Sequence, residues 1–232
     1  MDDVNRPRPV QRLSTPRGAA IAGILFAVLF ASSLVLLRSA VPDDPFAQTA
    51  WVTRGETRIS TALVLAPLAS IAFLWFIGVV RDQLGNLEDR FFGSVFLGSG
   101  LLFLATVAVS MSIAGAILMV AQIPVMASNG LIYFARSLML QISNVWGVRF
   151  AGVFMISLAT IWIRTRLMPR WLAFVTYLLA VSLLLVVTRN LWITLVFPAW
   201  VFGISTVILV RSHAVRRRHR VTQADGATTV EA

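Results

Sequence analysis

An arginine lies inside one of the most apolar stretches of the chain, SNVWGVRFAGVFMISLATIW over residues 143–162. Arg149 is the only charged residue of that stretch, and a guanidinium stays protonated at physiological pH. Its fork of N–H groups matches the oxygen atoms of a carboxylate or a phosphate. Together with Arg136, Asn144 and Arg189, Arg149 therefore forms the candidate site of this chain, for an anionic solute or a lipid headgroup.

No acidic partner is expected for Arg149 within the membrane. All 10 Asp and Glu residues fall in predicted loops or terminal segments. Three interpretations follow. Arg149 reaches lipid headgroups or ties down the first outer loop; it lines an outward-facing anion pocket with Arg136 and Arg189; or it contacts a partner protein.

Several chemistries lack the residues they need. The chain has no cysteine, its 20 basic residues are all arginine, and both histidines, His213 and His219, lie near the C-terminus. Thiolate, catalytic-lysine and histidine-ligand chemistry are therefore excluded from the apolar segments. We predict no catalytic residue, no metal site and no cofactor, and hence a protein that is not an enzyme.

The elements that must position these arginines are predicted to be membrane helices. Of 232 residues, 58% are hydrophobic and only 13% are charged, and the apolar residues form blocks of about 20, the length that crosses a bilayer. We predict an all-α polytopic membrane bundle with six transmembrane helices. Their approximate positions are 18–37, 59–80, 91–120, a segment that starts between 131 and 143 and ends near 163, 171–187 and 191–210.

The distribution of arginine predicts the orientation, because short cytoplasmic loops carry an excess of positive residues. A cytoplasmic N-terminus leaves only Arg38, Arg54, Arg58, Arg136 and Arg189 outside. With six spans, both termini are then cytoplasmic. The chain divides into a disordered N-terminal segment (1–17), a six-helix transmembrane domain (18–210) and a basic C-terminal tail (211–232).

The basic tail predicts a contact with the membrane surface. Arg216, Arg217, Arg218, His219 and Arg220 follow the last span directly, where such runs attract anionic lipid. No aromatic residue interleaves the run, so nucleic-acid binding is not expected. The bilayer is the expected partner, and a second membrane protein or a homo-oligomer stays open.

The third and fourth spans are longer than a bilayer requires. The 30 residues of 91–120 would form a helix of about 45 Å, against about 30 Å of hydrocarbon. If the fourth helix begins at the Asn129–Gly130 turn signal, the two helices form a hairpin that rises above the outer leaflet.

Three stretches resemble a group of small six-span membrane proteins of actinobacterial type: EDRFFGSVFLGSGLLFLA, VRFAGVFMISLATIWIRTRLMPRWLAF and LVFPAWVFGISTVILV. The likeness covers roughly residues 59–210 and does not imply a function. It implies six spans and a bacterial plasma membrane, and it supplies no site residue. Our leading expectation is a non-enzymatic accessory or scaffold protein of the plasma membrane, and the alternative is the outward-facing anion binder or carrier.

Overall fold

The computed structural model describes residues 16–42, 44, 50–84, 90–123, 129–165, 169–185 and 191–211. Within these ranges all regular secondary structure is helical. Segments 1–15 and 212–232, which hold the predicted disordered N-terminus and basic tail, lie outside the described residues.

Eight α-helices, one π-helical segment and one 3₁₀ turn make up the described chain. In order they are α1 (Pro16–Ala40), α2 (Ala50–Arg54), α3 (Glu56–Leu84), α4 (Arg90–Ala121), α5 (Asn129–Gln141), the π segment (Ile142–Gly147), α6 (Val148–Thr165), α7 (Arg170–Leu185), the 3₁₀ turn (Leu191–Leu195) and α8 over 196–211.

The predicted all-helical membrane architecture is confirmed at this level. The described chain holds 5 helical stretches long and apolar enough to cross a membrane: Arg17–Ala40, Glu56–Asp82, Phe91–Ala121, Gly130–Thr165 and Trp192–Arg211. The predicted fifth span corresponds to α7, a shorter apolar helix of 16 residues. The long fourth stretch begins at Asn129, which is before the predicted start between residues 131 and 143 and matches the alternative start at the turn signal.

Aromatic side chains from five helices form the centre of the bundle. The ring of Phe73 in α3 lies 4.5 Å from that of Phe26 in α1, 5.6 Å from Phe103 in α4, 5.2 Å from Phe154 in α6 and 5.6 Å from Phe197 in α8 (centroid distances). Offset and edge-on ring pairs at such distances add to the stability of apolar burial. This cluster holds the helices from which the candidate site is built.

Antiparallel contacts order the helices around that centre. The Ser33 hydroxyl of α1 donates to the Ala62 carbonyl of α3 at 2.8 Å. The Trp200 indole N–H of α8 donates to the Thr176 hydroxyl of α7 at 3.0 Å. Because polar side chains find partners in neighbouring helices, they can be buried in an apolar bundle.

A second, smaller apolar cluster lies at the end of the bundle where α1 finishes. Val52 of α2 packs there with Ile117 of α4 and Ile132 of α5. The Gln122 amide also donates to the Glu56 carboxylate at 3.2 Å. We call this part the cap and define it as residues 50–61, 113–123 and 129–141.

Candidate functional site

The helix that carries three of the four predicted site residues contains one widened turn. The π segment Ile142–Gly147 interrupts the continuous helix from Asn129 to Thr165. Such turns are rare and occur mostly as single turns inside α-helices, frequently at functional sites. The turn contains Ser143 and Asn144, whose side chains bond to an arginine of another helix.

Arg149 bonds to its own helix. Its Nη1 donates to the Val145 carbonyl oxygen at 3.0 Å, and the side chain is partly buried. Among the described residues, the acceptor for Arg149 is therefore the Val145 carbonyl oxygen, which is neutral.

Arg136 joins α5 to the segment that follows α1. Its Nη1 donates to the Asp44 carbonyl oxygen at 3.2 Å, and its Nη2 donates to the Pro42 carbonyl oxygen. The side chain is only 6% exposed. The predicted tie to the first outer loop is therefore made by Arg136.

The buried cation that sequence reasoning missed is Arg38. It was expected in the first outer loop, but α1 continues to Ala40 and the Arg38 side chain is only 5% exposed. Its Nη2 donates to Asn144 Oδ1 at 2.6 Å and to Ser143 Oγ at 3.3 Å. Its Nε and Nη1 are buried, and they have no hydrogen-bond partner among the described residues.

A sequence signal for this burial did exist. Phe30, Leu34 and Arg38 are spaced four residues apart, so they occupy one face of the helix. Both apolar members of that series are buried. Continuing the buried face by one more turn would have placed Arg38 inside the protein.

The structure places Arg136, Asn144 and Arg149 on one continuous helix, but their hydrogen bonds go to different partners and not to one another. Asn144 contacts Arg38 and not Arg149. Arg136 and Arg149 lie 13 residues apart on one continuous helix, a separation of about 20 Å along its axis. Arg189 lies outside the described residues. The outward-facing pocket around these arginines thus stays a prediction.

An apolar cavity lies between the helices, next to Arg38, Ser143 and Asn144. It contains about 450 Å³ of space between atoms, including its open end. It is lined by Phe30, Leu34, Phe103, Thr106, Val107, Ser110, Met111, Ser143, Gly147, Val148, Ala151, Leu183, Ile193, Thr194 and Phe197. Ser143 belongs both to this lining and to the contacts of Arg38.

In the described ranges, no three His, Cys, Asp or Glu side chains lie together as metal ligands would. Comparison with protein-family models, curated protein sequences and solved structures gives no match.

Proposed function

We propose that this chain is a non-enzymatic accessory or scaffold protein of the bacterial plasma membrane, and that its cap holds a second membrane protein. In this proposal the chain crosses the bilayer six times, with both termini in the cytoplasm. The distribution of arginine and the resemblance to six-span proteins support that topology.

The sixth crossing is assigned to α7. Its 16 described residues correspond to about 24 Å of helix, against about 30 Å of hydrocarbon. The Thr160 hydroxyl of α6 lies 2.6 Å from the Tyr177 hydroxyl of α7, and Trp200 of α8 bonds to the same helix. A helix held on both sides by spanning neighbours supports an even number of crossings.

Helix length supports a cap that projects from the membrane. The 32 residues of α4 form about 48 Å of helix, and the 36 residues of Gly130–Thr165 form about 54 Å, against about 30 Å of hydrocarbon. Arg90, Arg164 and Arg170 lie at the opposite ends of α4, α6 and α7. A cytoplasmic location for these arginines puts the cap outside.

One observation carries the proposed function: α5 presents an uncovered apolar stripe on the projecting cap. Leu131, Phe134 and Leu138 share one helix face through their spacing of three and four residues, and they are 46%, 64% and 40% exposed. We call these three residues the α5 stripe. Phe134 lies 31 residues before Thr165, about 46 Å along the helix and therefore beyond the hydrocarbon.

An apolar stripe in water is an interaction surface. The bonds from Arg136 to the Pro42 and Asp44 carbonyls hold α5 against the segment after α1, so the stripe is presented on a braced helix. We therefore assign the stripe to an apolar helix face of a second membrane protein, docked from outside the bilayer.

In-cell photo-crosslinking tests this function. Benzoylphenylalanine in place of Phe134 is expected to give one discrete adduct with another membrane protein. The same probe in place of Phe174 of α7, which is equally exposed at 65% against 64%, faces lipid and is expected to give no protein adduct. The absence of an adduct at Phe134 contradicts the proposal, and an adduct of twice the mass of this chain replaces the partner with a second copy.

A further inference from the structure

We propose that Arg38, Ser143 and Asn144 bind the anionic head of an amphiphile, a carboxylate or a phosphate, whose apolar chain occupies the neighbouring cavity. This binding site is independent of the scaffold function and of the cap.

The first argument is the missing counter-ion of Arg38. A guanidinium has five N–H groups, of which Nε carries one and Nη1 carries two. In the described part of the chain, those three have no acceptor, and the two groups that bond to Nη2 are neutral. A buried charge is tolerated when it is paired. The unpaired donors therefore point to an anion supplied from outside the chain.

The second argument is the contrast with the other two arginines of the predicted site. Arg136 and Arg149 donate to backbone carbonyl oxygens of their own chain. Arg38 instead faces side chains that bring a hydroxyl and an amide oxygen to one nitrogen. Arginine binds carboxylates and phosphates through several N–H groups at once, so Arg38 keeps the donors that such a head requires.

The third argument is the character of the cavity wall. The Thr106 hydroxyl donates to the Phe103 carbonyl at 2.7 Å, and the Ser110 hydroxyl donates to the Met139 carbonyl at 3.1 Å. The protons of these two hydroxyl groups are committed to the backbone, and apart from Ser143 and Thr194 the rest of the wall is apolar. Such a wall favours a hydrocarbon chain over a polar solute.

The unpaired donors of Arg38 and the apolar cavity are adjacent. Ser143 lines the cavity and accepts from Arg38, while Leu34, one helical turn before Arg38, lines the same cavity. A ligand with a charged head at Ser143 and an apolar chain along Leu34 satisfies both groups of residues.

The test measures retention of defined probes by the full chain in mild detergent, using native mass spectrometry. The probes are palmitate, a phosphatidylglycerol, a phosphatidylcholine and inorganic phosphate. We expect wild-type protein to retain palmitate or phosphatidylglycerol at least tenfold better than phosphatidylcholine or phosphate. Preference for palmitate identifies a free fatty acid, and preference for phosphatidylglycerol identifies a phospholipid. Equal retention of all four probes overturns the proposal.

The decisive variant is Asn144→Asp, which places a carboxylate 2.6 Å from Arg38 Nη2 in the position of the amide oxygen. The built-in anion is expected to reduce retention of the preferred probe at least tenfold and to raise the melting temperature of ligand-free protein. Gln141→Glu adds the same charge at an exposed position one turn away and is expected to leave retention unchanged. Wild-type retention by Asn144→Asp contradicts an anion site at Arg38.

Chain length tests the role of the cavity without any variant. Affinity is expected to rise from acetate to palmitate, because each additional methylene is buried. Ala151→Leu fills the cavity from α6, where Ala151 is buried in its wall, and is expected to lower the affinity for palmitate and not for acetate. An affinity independent of chain length overturns the amphiphile and leaves a site for a small anion.

Discussion

At the scale of residues, three arginines in similar apolar surroundings have three different kinds of partner. Arg149 uses a carbonyl of its own helix, Arg136 uses carbonyls of a distant segment, and Arg38 uses two neutral side chains. Which hydrogen-bond partners an arginine has in this chain depends on which acceptor groups lie near its guanidinium. The bonds of Arg38 and of Arg136 join elements that are far apart in sequence, whereas the bond of Arg149 stays within its own helix.

Arg136→Leu is expected to release the segment after α1 from α5. Two hydrogen bonds from a charged group are lost and two carbonyl groups lose their donors, which costs about 1–3 kcal/mol of stability. Hydrogen–deuterium exchange should increase in the segment that contains Pro42 and Asp44. Arg54→Leu, at an exposed position of the same cap, serves as the control and should stay within about 0.5 kcal/mol of wild type. Unchanged exchange in Arg136→Leu would show that other contacts hold the segment.

At the scale of elements, close approach of helices depends on glycine at particular positions. A Cβ at Gly23 of α1 would lie 2.9 Å from Phe76 Cδ2 of α3 and would also meet the Ser205 hydroxyl of α8. At Gly78 of α3, a Cβ would have nothing within 4 Å. Both glycines are helical, so a change to alanine at either has the same intrinsic benefit for the helix.

Gly23→Ala is expected to destabilise the bundle, because α1 must move away from α3 and α8. Overpacking of this kind costs about 1–3 kcal/mol. Gly78→Ala is expected to be neutral or to stabilise by up to about 1 kcal/mol. Thermal unfolding in detergent measures both variants. Equal melting temperatures would mean that the close contact at Gly23 relaxes without cost.

The helices could be predicted from sequence because each span is a continuous block of apolar residues. The same reasoning placed Arg38 in a loop, since a charge after Leu37 resembles the end of a membrane span. The contact that buries it joins residues 106 positions apart, and no local pattern encodes that pairing. The π segment was also missed, because its letters, ISNVWG, carry no distinctive periodicity.

At the scale of the whole molecule, the two ends of the bundle differ, because α4 is much longer than α7. The long helices end in the cap, which has its own apolar cluster, whereas the ends of α4, α6 and α7 near Arg90, Arg164 and Arg170 have no counterpart of this cluster among the described residues. In the proposed topology, a bilayer matched to α7 leaves the cap in the aqueous phase on one side only.

The absence of cysteine from the 232-residue sequence permits a direct test of topology. Thr53→Cys in α2 and Asp82→Cys near the end of α3 place single thiols at exposed positions on opposite ends of one span. A membrane-impermeant maleimide should label Thr53→Cys in intact cells and Asp82→Cys only after permeabilisation. A cysteine added at either terminus should behave like Asp82→Cys. Labelling of a terminal cysteine in intact cells would contradict six crossings with cytoplasmic ends.

The widened turn at Ile142–Gly147 sets the angular phase between the two halves of one continuous rod. Each residue of an α-helix advances the chain by about 100°, and a π turn accommodates one residue more than a regular turn. Deleting a single residue there would return the turn to regular α-helix and leave the orientation of Asn129–Gln141 relative to α6 nearly unchanged. Deleting one residue from the regular helix of α6 would instead rotate Asn129–Gln141 by about 100°, so that Arg136 would swing away from Pro42 and Phe134 would turn toward a different neighbour.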